Sequence, residues 1–129
     1  MNVSFRKSLS LLVLLAGLSA PLAAQVTLKR GAVVYCGNAS NTTAPAFVDE
    51  AKAKEATKEW QKIQSEGIDP DSAQGKQLLQ KMNSKVREAV KSIAQDESRD
   101  MVVRKDDILD KQGKEAVDLT DKVVAKLGE

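Results

Sequence analysis

Residues 70–104 read PDSAQGKQLLQKMNSKVREAVKSIAQDESRDMVVR, and their periodicity decides the fold. Leu79, Met82, Val86, Ala89 and Ile93 recur at intervals of 3, 4, 3 and 4, the narrow apolar seam of a helix packed against one neighbour. After Ser98 the period changes, and Asp100-Met101-Val102-Val103-Arg104 reads as a short strand. The stretch therefore predicts a helix over about 70–95 and a strand over about 100–104.

Towards the N-terminus, residues 46–66 are helix formers of mixed charge, with Ala53, Ala56, Trp60 and Ile63 spaced 3, 4 and 3 apart. Gly67-Ile68-Asp69-Pro70-Asp71-Ser72 separates the two helical patterns. Gly67 suits a left-handed C-cap, Asp69 an N-cap, and Pro70 the first turn of the next helix. Two amphipathic arms, 46–66 and 70–95, joined by so short a turn predict an antiparallel helical hairpin. Upstream, Ala32-Val33-Val34-Tyr35-Cys36 predicts a strand, and Gly37 to Thr43 is loop chemistry. Asn38-Ala39-Ser40 and Asn41-Thr42-Thr43 match the N-glycosylation pattern, which matters only in a eukaryotic secretory route. Downstream, Asp107-Ile108-Leu109 reads as a weaker strand and Lys111 to Lys114 as a turn. Thr120 is a good N-cap for a last helix over 120–127 that carries Val123, Val124 and Leu127 on one side. The expected fold class is α+β and mostly helical, a hairpin projecting from a small β body.

Charge and composition bound the function. Of 20 Lys and Arg, only Arg6 and Lys7 lie in the first 24 residues, which hold no acid; from Gln25 onward 18 bases face 18 acids. Arg6 and Lys7, the apolar run Leu9–Leu18 and the small residues before Gln25 predict a signal peptide over 1–24, cleaved after about Ala24. The expected product is an exported single domain over 25–129, neutral in sum. That neutrality argues against nucleic acid as a partner. With no His and one Cys, the His-dependent nucleophile and metal constellations are excluded, as is an internal disulfide. No cofactor, metal or enzymatic activity is expected. Leu, Ile, Val and Phe number 11 Val, 6 Leu, 4 Ile and 1 Phe in 25–129, a small stock for a private core. The expectation is that copies of the chain complete the body.

The stretch from Val86 to Leu127 resembles the Skp (OmpH) family of periplasmic chaperones. The matching pieces are Val86-Arg87-Glu88-Ala89-Val90-Lys91-Ser92-Ile93-Ala94, then Asp100-Met101-Val102-Val103, then Val117-Asp118-Leu119-Thr120-Asp121-Lys122-Val123-Val124-Ala125-Lys126-Leu127. The family reads there as an apolar helix end, a D-[LM]-V-[VL] strand and a D-[IL]-T cap opening the last helix. The order of the elements agrees too, from the signal peptide and early strand onward. This resemblance implies a periplasmic homotrimer whose strands share one body, with hairpins that hold unfolded outer-membrane proteins without ATP. It implies that Val33, Val34, Met101, Val102, Val103, Val123, Val124 and Leu127 form the shared oligomerisation body. Membrane contact would be peripheral at most. The arms here are shorter than the family's, and the processed chain is neutral where the family is basic.

Trp60, Ile63, Ile68, Leu78 and Met82, in the distal part of the hairpin, are the candidates for apolar client contact. A seam role for Met82 and packing of Trp60 against the turn are the competing assignments. Between Gln74 and Ile93 five bases (Lys76, Lys81, Lys85, Arg87, Lys91) face Glu88 alone, whereas Asp49–Asp71 is acidic, so the two arms attract or one presents a basic face. Cys36 is expected to be buried or to pair between chains, and Asp106, Asp107 and Asp110 to be solvated turn acids. The alternative function is an adaptor that binds one folded periplasmic partner through the hairpin.

Overall fold

The seam at Leu79–Ile93 forms the longest helix of the chain, α3 (Ala73–Asp96), in a computed structural model that describes residues 25–129. The expected signal peptide at 1–24 lies outside the described residues. Met82, Val86 and Ala89 are buried along α3, and Val90 and Ala94 join them where the helix reaches the sheet. Its N-cap is Ser72, whose hydroxyl accepts a hydrogen bond from Gly75 N at 3.0 Å. Asp69, expected to cap, instead closes the preceding turn by accepting from Asp71 N at 2.9 Å. Pro70 accordingly lies in that turn, outside the helix.

The first arm departs most from the sequence reading. Its start is a strand, β3 (Pro45–Val48), and its remainder is two helices, α1 (Glu50–Glu55) and α2 (Lys58–Glu66). Thr57 causes the break. Its backbone is extended, its hydroxyl donates to Lys54 O at 2.6 Å and accepts from Trp60 N at 3.2 Å. A β-branched hydroxyl residue that bonds the neighbouring backbone offers the chain an alternative to continuing the helix. The break resets the helical phase, so Ala53 and Ile63 are buried while Ala56 and Trp60 stay half-buried. Gly67 ends α2 in the left-handed region as expected, with Ile68 N donating to Ile63 O at 3.0 Å. From there the chain turns, and α2 lies against α3.

A four-stranded sheet carries these helices, in the order β2 (Val34–Cys36), β4 (Met101–Arg104), β3 and β6 (Val117–Asp118). β3 runs parallel to both β4 and β6, and β2 is antiparallel to β4. Parallel neighbours need a long crossover, which α1, α2 and α3 supply between β3 and β4. A second pair, β1 (Thr27–Leu28) with β5 (Ile108–Asp110), forms its own two-stranded sheet, whose Leu28 and Ile108 pack against the cluster of Met101 and Val103. Val102 faces the core made with α1, α3 and the last helix, α4 (Thr120–Leu127), through Val48, Ala53, Val90, Leu119 and Val123. Met101 and Val103 face the other side, with Val26. The result is an α+β fold in which helix outweighs strand.

Two elements of the family-like motifs hold this body together. The Asp100 carboxylate accepts from Thr43 N at 2.7 Å, Thr43 Oγ1 at 2.8 Å, Ala44 N at 3.0 Å and the Thr42 hydroxyl, so it pins the loop that feeds β3. Thr120 is buried at the start of α4 rather than capping it. Its hydroxyl accepts from Asp49 N at 2.9 Å, and the Asp118 carboxylate accepts from Thr120 N at 2.9 Å, while Leu119 holds the N-cap position with no side-chain bond to the helix. The starts of α1 and α4 are thereby tied to each other.

The residues expected to form a shared body divide by burial within the single chain. Met101, Val102, Val103 and Val123 are fully enclosed by their own chain, leaving Val33, Val34, Val124 and Leu127 half-buried. Val33 precedes β2 instead of belonging to it, and its N–H donates to Asp107 Oδ2 at 2.9 Å. Each fully buried side chain of this size contributes on the order of 1.5–3 kcal/mol.

Candidate protein-contact surface

The hairpin formed by α2 and α3 presents apolar groups on its inside and charges on its outside. Ile63 and Met82, both offered by the sequence as client contacts, are 3% and 2% exposed and sit in the seam. Met82 is too well enclosed to adapt to a passing chain. The hairpin needs both to close, because α2 is short and brings few other large side chains to α3. Trp60, Ile68 and Leu78 remain half-buried, each with some surface to offer. Among the described residues, the large apolar side chain that stands exposed is Leu109, 62% exposed on β5.

Trp60 is half-buried on α2. It lines a cleft of about 470 Å³ with Asp49, Glu50, Lys54, Arg104 and Lys105, where α1, α2 and the end of β4 meet. Arg104 is held there by Asp107, with Nε to Oδ2 at 3.0 Å and Nη2 to Oδ1 at 3.2 Å, and it approaches Glu50 at 3.5 Å. Asp107 is therefore a buried structural acid, 4% exposed, and not the solvated turn residue expected. Its carboxylate joins the segment before β2 to the end of β4.

The opposed charges of the two arms meet in one pair. Lys85 on α3 bonds Glu59 on α2, and Glu59 is largely buried. Burial pushes the Glu59 carboxyl up, but the hydrogen bond and charge of Lys85 outweigh it and hold the group below the ordinary glutamate range. Lys76, Lys81, Arg87 and Lys91 stay exposed along α3. Cys36 is a free thiol, half-buried at the end of β2, and burial pushes its pKa up.

Where α1, the middle of α3 and β2 converge lies a smaller cavity of about 140 Å³, which sequence reasoning missed. Tyr35, 7% exposed, lines it, and its buried hydroxyl has no hydrogen-bond partner. Burial first, then the nearby Glu50 carboxylate, push the Tyr35 pKa up to about 12. Glu50 lines the same cavity, and its Oε2 is likewise buried without a hydrogen bond. The one hint in the sequence was a Tyr inside a strand otherwise made of small apolar residues.

No group of three His, Cys, Asp or Glu side chains able to hold a metal occurs among the described residues. No described helix is long and apolar enough to cross a membrane. No family model matches the chain, and neither a curated protein nor a solved structure matches it.

Proposed function

We propose that the chain is an exported, ATP-independent holdase of the Skp kind, which binds unfolded outer-membrane proteins in the periplasm and acts as a homotrimer. The observation that carries this reading is the fate of the segment resembling that family. Its helix end, its D-M-V-V strand and its D-L-T helix start pack around one core, and Asp100, Asp118 and Thr120 each hold a hydrogen bond there. The early strand β2, the helices α2 and α3, the strand β4 and the last helix α4 follow in the order the resemblance implies, with β3 and α1 added ahead of α2.

On this reading Trp60, Ile68 and Leu78 supply the apolar contact, and the free bases of α3 supply the charged one. One short hairpin offers little such surface, so holding requires several hairpins side by side. Weak contacts repeated across copies raise the effective concentration of the second and third. The half-buried Val33, Val34, Val124 and Leu127 are the body residues with surface left for that assembly.

The burial of Ile63 and Met82 favours a second reading, an adaptor that grips one folded partner through the polar outside of the hairpin. One experiment separates the two. Several unrelated outer-membrane proteins, unfolded in urea, are diluted with and without the processed protein and without nucleotide, and turbidity is followed. A holdase delays aggregation of all of them to a similar degree. An adaptor leaves the turbidity unchanged and enriches a single folded protein from a periplasmic extract.

A further inference from the structure

The four-stranded sheet has helices on one face only. On that face Val48, Val102 and Leu119 lie in the core made with α1, α3 and α4. The other face, with Met101 and Val103, is covered by Val26 and by the small sheet of β1 and β5. With two residues in β1 and three in β5, that cover cannot roof four strands. Phe47 shows the shortfall: Val103, its register partner, is fully buried, but Phe47 itself is half-buried. Phe47 and Ile108 line a cavity of about 160 Å³, with the exposed Lys105, Asp106 and Lys111 around them. Next to Ile108 on β5 stands Leu109, 62% exposed. Successive strand residues face opposite ways, so Leu109 points away from the sheet that Ile108 packs against.

From this we infer that Leu109 of one copy of the chain occupies the Phe47–Ile108 cavity of a second copy. An apolar cavity of this size holds a benzene-sized group, so a leucine side chain fits it. The charges around knob and hole are self-complementary. Asp110 and Lys111 follow Leu109, and Lys105, Asp106 and Lys111 stand at the cavity, so each place carries both signs. A facing copy can set Asp110 against Lys105 and Lys111 against Asp106. A partner of one sign, such as an anionic lipid surface, would meet its own charge at both places. Because knob and hole lie on opposite sides of β5, the contact is head-to-tail: each copy gives its Leu109 to one neighbour and receives one from the other, and such a contact closes as a ring. Leu28, Val34 and Ala39, half-buried on the same side of the sheet, widen it beyond one side chain. This contact deepens the trimer reading by naming the surface that joins the copies, and it rests on that reading for their number.

The test is sedimentation equilibrium of the processed protein and its Leu109→Asp variant over the same concentrations. Leu109 adds little to its own chain's core, so the variant is expected to keep the native circular dichroism spectrum while its dissociation constant rises tenfold or more. A photo-crosslinking residue at position 109 checks the location. In a mixture of ¹⁵N-labelled and unlabelled chains, the link is expected to join one kind to the other and to map to Phe47 or to the segment 105–111. An oligomer indifferent to Leu109→Asp, or a link that maps elsewhere, overturns this contact and leaves the trimer reading standing. A native chain that is monomeric throughout overturns both. A variant that keeps its oligomer mass but no longer delays aggregation makes the face a client site, which overturns the second copy as its occupant. Should Leu109→Asp lose the native spectrum, the crosslink map decides by itself.

Discussion

Asp100→Ala is the substitution whose cost the structure specifies best. The Asp100 carboxylate accepts hydrogen bonds from the backbone of Thr43 and Ala44 and from the hydroxyls of Thr42 and Thr43. Hydrogen bonds to a charged group are worth about 1.5–3 kcal/mol each when isolated, but they share one carboxylate and three of the four donors lie near water. A total of about 2–3 kcal/mol is therefore expected, and urea unfolding followed by circular dichroism would measure it. At about 4–8 °C per kcal/mol for a domain of this size, the melting temperature should fall by about 10–20 °C. The pH dependence makes the prediction specific. Burial pushes this carboxyl up, but the bonds from Thr42, Thr43 and Ala44 together prevail and hold it far below the usual carboxylate range. A depressed folded-state pKa contributes stability that is present above the unfolded value, about 3.9, and is lost as pH falls towards the folded one. The difference between the native protein and Asp100→Asn should thus be constant near neutrality and shrink below about pH 4. A cost under about 0.5 kcal/mol for Asp100→Ala, or a difference from Asp100→Asn that ignores pH, would refute the reasoning.

Met82→Ala should cost about 2–5 kcal/mol in the same urea assay, because it empties the hairpin seam. Gly37→Ala should prevent stable folding, since Gly37 has φ +81° and a Cβ there would lie 2.0 Å from Asp100 O; soluble yield and circular dichroism check it. Lys85→Met should cost about 1–3 kcal/mol at pH 7 by stranding the buried Glu59 carboxylate. That cost should shrink as pH falls, beginning above the ordinary glutamate value, because burial without Lys85 pushes the carboxyl up and it takes up a proton early. Trp60→Ala together with Leu78→Ala should shorten the delay of aggregation severalfold in the turbidity assay while leaving oligomer mass unchanged.

Much of this fold was legible because its signals are local. The spacing of Leu79 to Ile93 and the run Met101-Val102-Val103 each specify an element without help from distant residues, and α3 and β4 lie close to where that pattern put them. The strand at Pro45–Val48 was not legible in the same way. Ala46-Phe47-Val48 gains its register from β4 and β6, more than 50 residues away, and its local composition runs smoothly into helix formers. The break at Thr57 was present as a capping residue inside an otherwise continuous pattern, where the seam spacing overrode it. For the contact surface, spacing along one arm could not say which apolar residue faces the other arm once that arm is broken. Ile63 and Met82 went inward and Trp60 turned to a cleft beside Arg104. The Tyr35 cavity could not be read from sequence, because its walls come from a strand, a six-residue helix and the middle of α3.

The most direct test of holding by several hairpins is the solution mass of the processed protein, measured by sedimentation equilibrium across a range of concentrations. The account predicts a species of three chains, stable at micromolar concentration. A chain that stays monomeric throughout that range would contradict it.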